Sequence, residues 1–178
     1  MMRRVLLLLL TGCIAWLMPP ANADDAPVPE NAMKAVYLYN FAQLTEWPSS
    51  TEREGGFKLC FFGSEELSRS LEKLRGRMID NRVVHLQQVT DAVEARQCNM
   101  LFVGDADIGR AGRMIEALRG RPILIVTDDA HLLRLGAMVL MQREAKRLAF
   151  EVNLDPAKHS QLRFSSKLLR LAVRVNGE

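Results

Sequence analysis

Thiol chemistry and carboxylate chemistry are the two kinds that the side chains of this 178-residue sequence offer. Cys13 lies in an apolar leader, whereas Cys60 and Cys98 sit in or beside strongly apolar runs. An even pair outside the leader reads as a disulfide in an exported protein, with two buried free thiols as the other reading. Acids gather in two places, Gly104-Asp105-Ala106-Asp107 and Thr127-Asp128-Asp129, each closing an apolar run. Carboxylates at neighbouring strand ends suit a divalent cation or a phosphoacceptor. They equally suit helix caps and solvated loops, the blander and better reading. Phosphoacceptor domains place paired acids after their first strand, where this chain has Phe62-Gly63. His85, His131 and His159 are dispersed, without metal-ligand spacing and without a serine or cysteine nucleophile in a motif that would use them. No GxGxxG, GxxxxGK or GxSxG pattern occurs at a strand end. Neither a catalytic group, a metal ligand set nor a cofactor is expected.

The elements that must carry these residues are legible. Phe57-Lys58-Leu59-Cys60-Phe61-Phe62 is a nearly continuous apolar run closed by Gly63, with Ser64, Glu65 and Glu66 behind it. That is a buried strand turning into a capped helix whose first turn is acidic. Before it, Glu30 to Trp47 reads as a helix with Met33, Val36, Tyr37, Phe41 and Leu44 on one face, stopped by Pro48. After it come a helix from Glu65 to Leu74, a strand at Val83–Leu86 and a short helix capped by Thr90-Asp91. A strand at Met100–Val103, a helix at Ile108–Leu118 and a strand at Ile123–Val126 follow. Alternating strands and helices with short loops predict a mostly parallel sheet covered on both faces.

The chain then changes character. Met138–Gln142 and Leu148–Val152 flank the charged stretch 143–147 and read as an antiparallel hairpin at the sheet edge. Asp155-Pro156 reads as a helix start. Ser165-Ser166 caps a last helix with Leu168, Leu169, Leu171, Ala172 and Val175 inward. The fold class is α/β, a three-layer sandwich around a mostly parallel sheet of about six strands with an antiparallel C-terminal hairpin.

Arg3 and Arg4, the apolar residues up to Met18, and Ala21-Asn22-Ala23 form the pattern of a cleavable signal peptide over 1–23. The apolar stretch is interrupted at Thr11-Gly12 and ends at Pro19-Pro20, short of the ~20 residues that span a bilayer. Leu10-Thr11-Gly12-Cys13 also fits a lipidated cysteine, a weaker reading because a well-formed site follows it. Residues 24–178 make one domain of a size that buries a real core. The leader carries two arginines and no acid, so its loss brings the formal charge of +3 close to neutral. A nearly neutral body offers no electrostatic footprint for nucleic acid.

Between the hairpin and the last helix, Leu154, Ala157 and Leu162 look like exposed apolar residues beside His159 and Arg163. Arg163 is either a solvated edge charge or a contact rimmed by hydrophobes.

Two blocks carry a resemblance. Lys34-Ala35-Val36-Tyr37-Leu38-Tyr39-Asn40-Phe41 with Glu46-Trp47-Pro48, and Leu148-Ala149-Phe150-Glu151-Val152-Asn153-Leu154 running on to Phe164-Ser165-Ser166-Lys167-Leu168-Leu169-Arg170-Leu171-Ala172, resemble the YfiR family of periplasmic repressors. The likeness spans the mature chain, and its middle matches mainly in element order and in Cys60 and Cys98. It implies a non-enzymatic periplasmic regulator that binds the periplasmic domain of an inner-membrane diguanylate cyclase and keeps cyclic di-GMP and biofilm formation low. It further implies release by a peptidoglycan-associated outer-membrane lipoprotein, a homodimer, and sensitivity to thiol redox state. Such a repressor needs an apolar contact surface, for which Leu154, Ala157 and Leu162 are the candidates, with Arg163 as a polar contact. One departure stands out: the second cysteine pair known near the late hairpin of the family is replaced here by Met138, Met141 and Leu148. Two other classes stay open, a periplasmic small-molecule sensor and a metal-dependent enzyme built on Asp105, Asp107, Asp128 and Asp129.

Overall fold

The strand at Phe57–Phe62 is buried along its length because its two sets of side chains feed two different cores. Phe57, Leu59 and Phe61 point into one cluster, Cys60 and Phe62 into the other. This is the pleat of a strand covered on both faces. The structure is a computed structural model and describes residues 28–49, 55–63, 65–104, 106–145 and 147–177. The leader, including the cleavage site and Cys13, lies outside the described residues, as do Ser64 and Asp105.

In chain order the helices are α1 (Glu30–Gln43), α2 (Glu65–Leu71), α3 (Ala92–Ala95), α4 (Ile108–Ala117), α5 (Ala130–Arg134), α6 (Leu154–His159) and α7 (Ser166–Leu171). The strands are β1 (Thr45–Glu46), β2 (Phe57–Phe62), β3 (Met78–Ile79), β4 (Arg82–Gln88), β5 (Met100–Val103) and β6 (Leu124–Thr127). They continue with β7 (Val139–Glu144), β8 (Arg147–Asn153), β9 (Arg163–Phe164) and β10 (Arg174–Asn176). The main sheet runs β10-β8-β7-β6-β5-β2-β4-β3. Pairing is parallel from β4 through β2, β5 and β6 to β7. β8 is antiparallel to β7, and β3 to β4. β4 lies on one side of β2 and β5 on the other, so the winding reverses there. Accordingly α1 and α2 supply buried residues to one core, and α3, α4 and α5 to the other. Helices on both faces of the sheet make the expected three layers.

Asn99, 2% exposed, locks the start of three parallel strands. Its side-chain oxygen accepts from the Lys58 N–H at 2.9 Å, and its own N–H donates to Lys58 O at 2.9 Å. Its carbonyl accepts from Leu124 N–H at 3.0 Å and from the Trp47 indole at 3.2 Å. Next to it, Cys98 is bridged to Cys60, with Cα atoms 5.9 Å apart and a sequence separation of 38. Both cysteines are buried, so the pair is a disulfide and not two free thiols.

Five expectations are corrected. The sheet has eight strands, not about six, because β3 and β10 extend it. The first helix ends at Gln43, and Thr45–Glu46 pairs with Arg163–Phe164 as a separate antiparallel ribbon. Its buried face is Ala35, Leu38, Phe41 and Ala42, while Val36 is 55% exposed. The two alanines keep that buried face short, and Tyr37 is turned so that its hydroxyl donates to Leu148 O at 2.8 Å. The late hairpin is not at the edge. After Leu171 the chain leaves the helix, Val173 N–H donates to Phe150 O at 2.9 Å, and β10 runs parallel to β8. The main chain of 173–176 thereby occupies the otherwise unpaired edge of β8, and Leu171 and Val175 turn out to solvent instead of packing inward. Finally, α5, capped by Asp129, and the position of Asn153 rather than Asp155 before α6 were not expected.

A Cys60→Ala/Cys98→Ala double variant should fold but lose about 4 kcal/mol of unfolding free energy, the chain-entropy value for a loop of this length. Urea titration of the oxidised wild type and the variant measures it.

Candidate functional site

The reversal of the winding at β2 places a cleft at the carboxyl ends of the parallel strands, where α/β sheets commonly bind ligands. It encloses about 880 Å³ and is lined by Lys34 from α1, Glu65 and Glu66 from α2, and Asp128 and Asp129 after β6. Of the acids singled out in the sequence, Asp107, Asp128 and Asp129 each have a partner. Asp107 caps α4 by accepting from Arg110 N–H at 2.8 Å, and Asp129 caps α5 by accepting from His131 N–H at 2.6 Å. Asp128 takes the Lys34 ammonium at 2.7 Å. Among the described residues no group of three or more His, Cys, Asp or Glu side chains is arranged to hold a metal ion.

Lys34 is not among the residues read as the apolar face of the first helix. In the structure its side chain is only 12% exposed, held between Asp128 and Glu30 at 3.1 Å, and Glu30 also receives Arg143 at 3.3 Å. The Glu30–Lys34 spacing of four was the one signal available, since such pairs meet on a helix face; the Asp128 partner is a tertiary fact. Burial alone would push the Lys34 ammonium down, but hydrogen bonds and charge from Asp128 and Glu30 outweigh it and hold it above 10.5. The Lys34 hydrogen bond, opposed by burial and aided by the charges of Lys34 and Arg143, holds the Glu30 carboxyl below 4.5.

The segment proposed as an exposed apolar surface behaves differently. Ala157 and Leu162 are 1% and 2% exposed and belong to the core beside α1. They are buried because the chain from α6 turns back under the sheet, with Leu162 N–H bonded to Ala157 O at 2.9 Å. Leu154 is half-buried against the same core. Only Arg163 stands free of it, exposed and paired with Glu46 at 2.8 Å across the β1–β9 ribbon. Exposed apolar side chains lie instead a few residues on: Leu171 at 62%, Val173 at 46% and Val175 at 40%. Beside Leu171 and Val173 a groove of about 400 Å³ runs over Tyr37, Phe41, Phe150 and Leu168. Sequence reading missed this patch because Leu171 and Val175 fit the stripe of a continued helix.

The profile of the YfiR/HmsC-like family (DUF4154) matches residues 31–173, most of the chain and all of the elements just described except β10. The chain belongs to the YfiR/HmsC-like family. That family is one of periplasmic regulators of diguanylate cyclases, and no described helix here is long and apolar enough to cross a membrane. Solved structures of similar fold include a conserved domain protein from Vibrio cholerae O1 biovar El Tor strain N16961, at 8% identity and TM-score 0.58 over 80% of this chain. Another is an ABC domain from Streptococcus pneumoniae in complex with L-Trp, at 9% identity and TM-score 0.52 over 79% of this chain. In each case the match spans 60% of the other protein's length. At such identities these likenesses speak for the fold alone. The family's second cysteine pair has no counterpart: Met138, Met141 and Leu148 are 2%, 0% and 4% exposed and fill the core in that neighbourhood.

Two expectations follow. Lys34→Met should lower stability at neutral pH by about 1–3 kcal/mol, the range for losing charge-assisted hydrogen bonds. The Glu30 contribution is present above pH 4.5 and is lost as the pH falls through its lowered value; the Lys34 contribution is present below pH 10.5 and is lost as the pH rises through its raised value. The variant should therefore show a shallower loss of urea midpoint on both sides, measured across acid and alkaline titrations. Separately, Leu162→Asp should unfold or severely destabilise the chain by burying a charge. Arg163→Ala should cost less than about 1 kcal/mol, as exposed ion pairs do; thermal melts distinguish the two.

Proposed function

We propose that this protein is exported by cleavage of residues 1–23 and that its domain over 24–178 represses an inner-membrane diguanylate cyclase by binding the cyclase's periplasmic domain. The family match over residues 31–173 carries the reading. Repression works by differential affinity: a regulator that prefers the inactive arrangement of its partner shifts the population toward it, and the output of cyclic di-GMP and biofilm matrix falls. A peptidoglycan-associated outer-membrane lipoprotein relieves repression by sequestering the regulator, which acts as a homodimer.

The contact surface we assign is the exposed patch of Leu171, Val173 and Val175 with the adjoining groove over Tyr37 and Phe150, and Arg163 on its rim. This apolar concentration supports the reading, since a contiguous patch marks interaction sites more often than scattered residues do. Ala157 and Leu162 belong to the core, and Leu154 packs against it.

A Leu171→Asp/Val173→Asp variant should fold with an unchanged melting temperature and fail to repress. Cyclic di-GMP should rise to the level of a deletion strain that keeps the cyclase. Full repression by the folded variant would move the contact surface elsewhere. A deletion strain with unaltered cyclic di-GMP would remove the regulatory role altogether.

A further inference from the structure

At the opposite end of the sheet from the acidic cleft, the ends of α4 and α5 and the start of α6 enclose a cavity of about 270 Å³. Its floor is made by Ile115, Leu118, Ile125 and Met138, all 2% exposed or less. An apolar cavity of ~150 Å³ already holds benzene, so this one takes a ring or short chain with a small polar group.

Several polar groups line it. Ser160 is 2% exposed, and its main-chain N–H goes to the Pro156 and Ala157 carbonyls. Asn153 precedes α6 without making a capping bond with its side chain. At the mouth, Arg134 reaches Ala130 O at 3.2 Å and His131 Nδ1 at 2.6 Å, and no carboxylate pairs with it among the described residues. His159 holds Asp155 O with Nδ1 at 2.7 Å; a carbonyl only accepts, so Nδ1 carries the hydrogen and Nε2 is left over. Arg119 also lines the cavity, already paired with Glu116. No acidic side chain contributes to the lining. Carbonyls where α4 and α5 end are occupied by local turns, Leu118 O by Arg121 N–H and Leu133 O by Gly136 N–H.

An apolar pocket lined by a serine, an asparagine that makes no capping bond and a guanidinium without a carboxylate partner among the described residues has the composition of a small-ligand site. We propose that it binds a compact organic acid. The apolar body lies on Ile115, Leu118, Ile125 and Met138, and the carboxylate meets Arg134, whose planar fork matches it. Ser160 and Asn153 supply the remaining hydrogen bonds. The site is separate from the exposed patch at Leu171 and Val173, and the proposal does not rest on the cyclase reading.

Calorimetric titration of the mature protein with 3-phenylpropionate and with hexanoate tests it, using 3-phenylpropanamide as the uncharged counterpart. Saturable binding of at least one acid is expected, weaker by about tenfold or more for the amide and for Arg134→Gln. Leu135→Trp, an exposed position at the mouth, should abolish it. Melting curves confirm that both variants, at exposed positions, remain folded. Absence of saturation by either acid up to about 10 mM overturns the proposal. So does equal affinity for acid and amide, or binding that Arg134→Gln leaves unchanged.

Discussion

A strand whose two faces must both be covered is the constraint on which this structure depends. β2 gives its hydrogen bonds to β4 on one side and β5 on the other, and divides its side chains between two cores. Neither core alone would leave it dry. Both layers of helices must therefore form, and the winding must reverse at β2 for the second layer to lie over the opposite face. Asn99 fixes how β2, β5 and β6 begin, and the adjacent bridge fixes how far Cys98 can stray from β2. The acidic cleft is a by-product of the same reversal: it lies where the helices of the two layers part at the strand ends.

Strands buried on both faces announce themselves as unbroken apolar runs, so β2, β5 and β6 were legible to within a residue or two. Their parallel pairing followed from the short helical crossovers between them. The failures share one cause, which is that an apolar residue does not declare where it packs. Val36 fits the stripe of the first helix, yet Ala35 and Ala42 take the buried face. Leu171 and Val175 fit a continued helix, yet the open edge of β8 recruits that backbone as a strand. Leu162 between Gln161 and Arg163 looks exposed in sequence and is core because the β1–β9 ribbon pins the segment against α1.

The chemistry was legible for a similar reason and missed for the same one. Cys60 and Cys98 could be paired because they are an even pair outside the leader of a chain read as exported. Asp107 caps a helix the sequence announced, whereas Asp129 caps α5, which it did not. The Lys34–Asp128 pair joins residues 94 apart, and no local pattern encodes that distance. Family membership came through blocks at the two ends of the chain, which meet in space where Tyr37 and Phe41 pack on Phe150.

The bridge belongs to the core under α3, α4 and α5, whereas Leu171, Val173 and the groove over Tyr37 lie on the side of α1 and α7. The sheet is thus a partition, with thiol chemistry on one side of the wall and occupancy on the other. Opening the bridge slackens the back of the molecule without removing a single contact from its front. β2 is shared by both sides, carrying Cys60 to the back and Phe57, Leu59 and Phe61 to the front, so oxidation state is felt on that front through the wall itself.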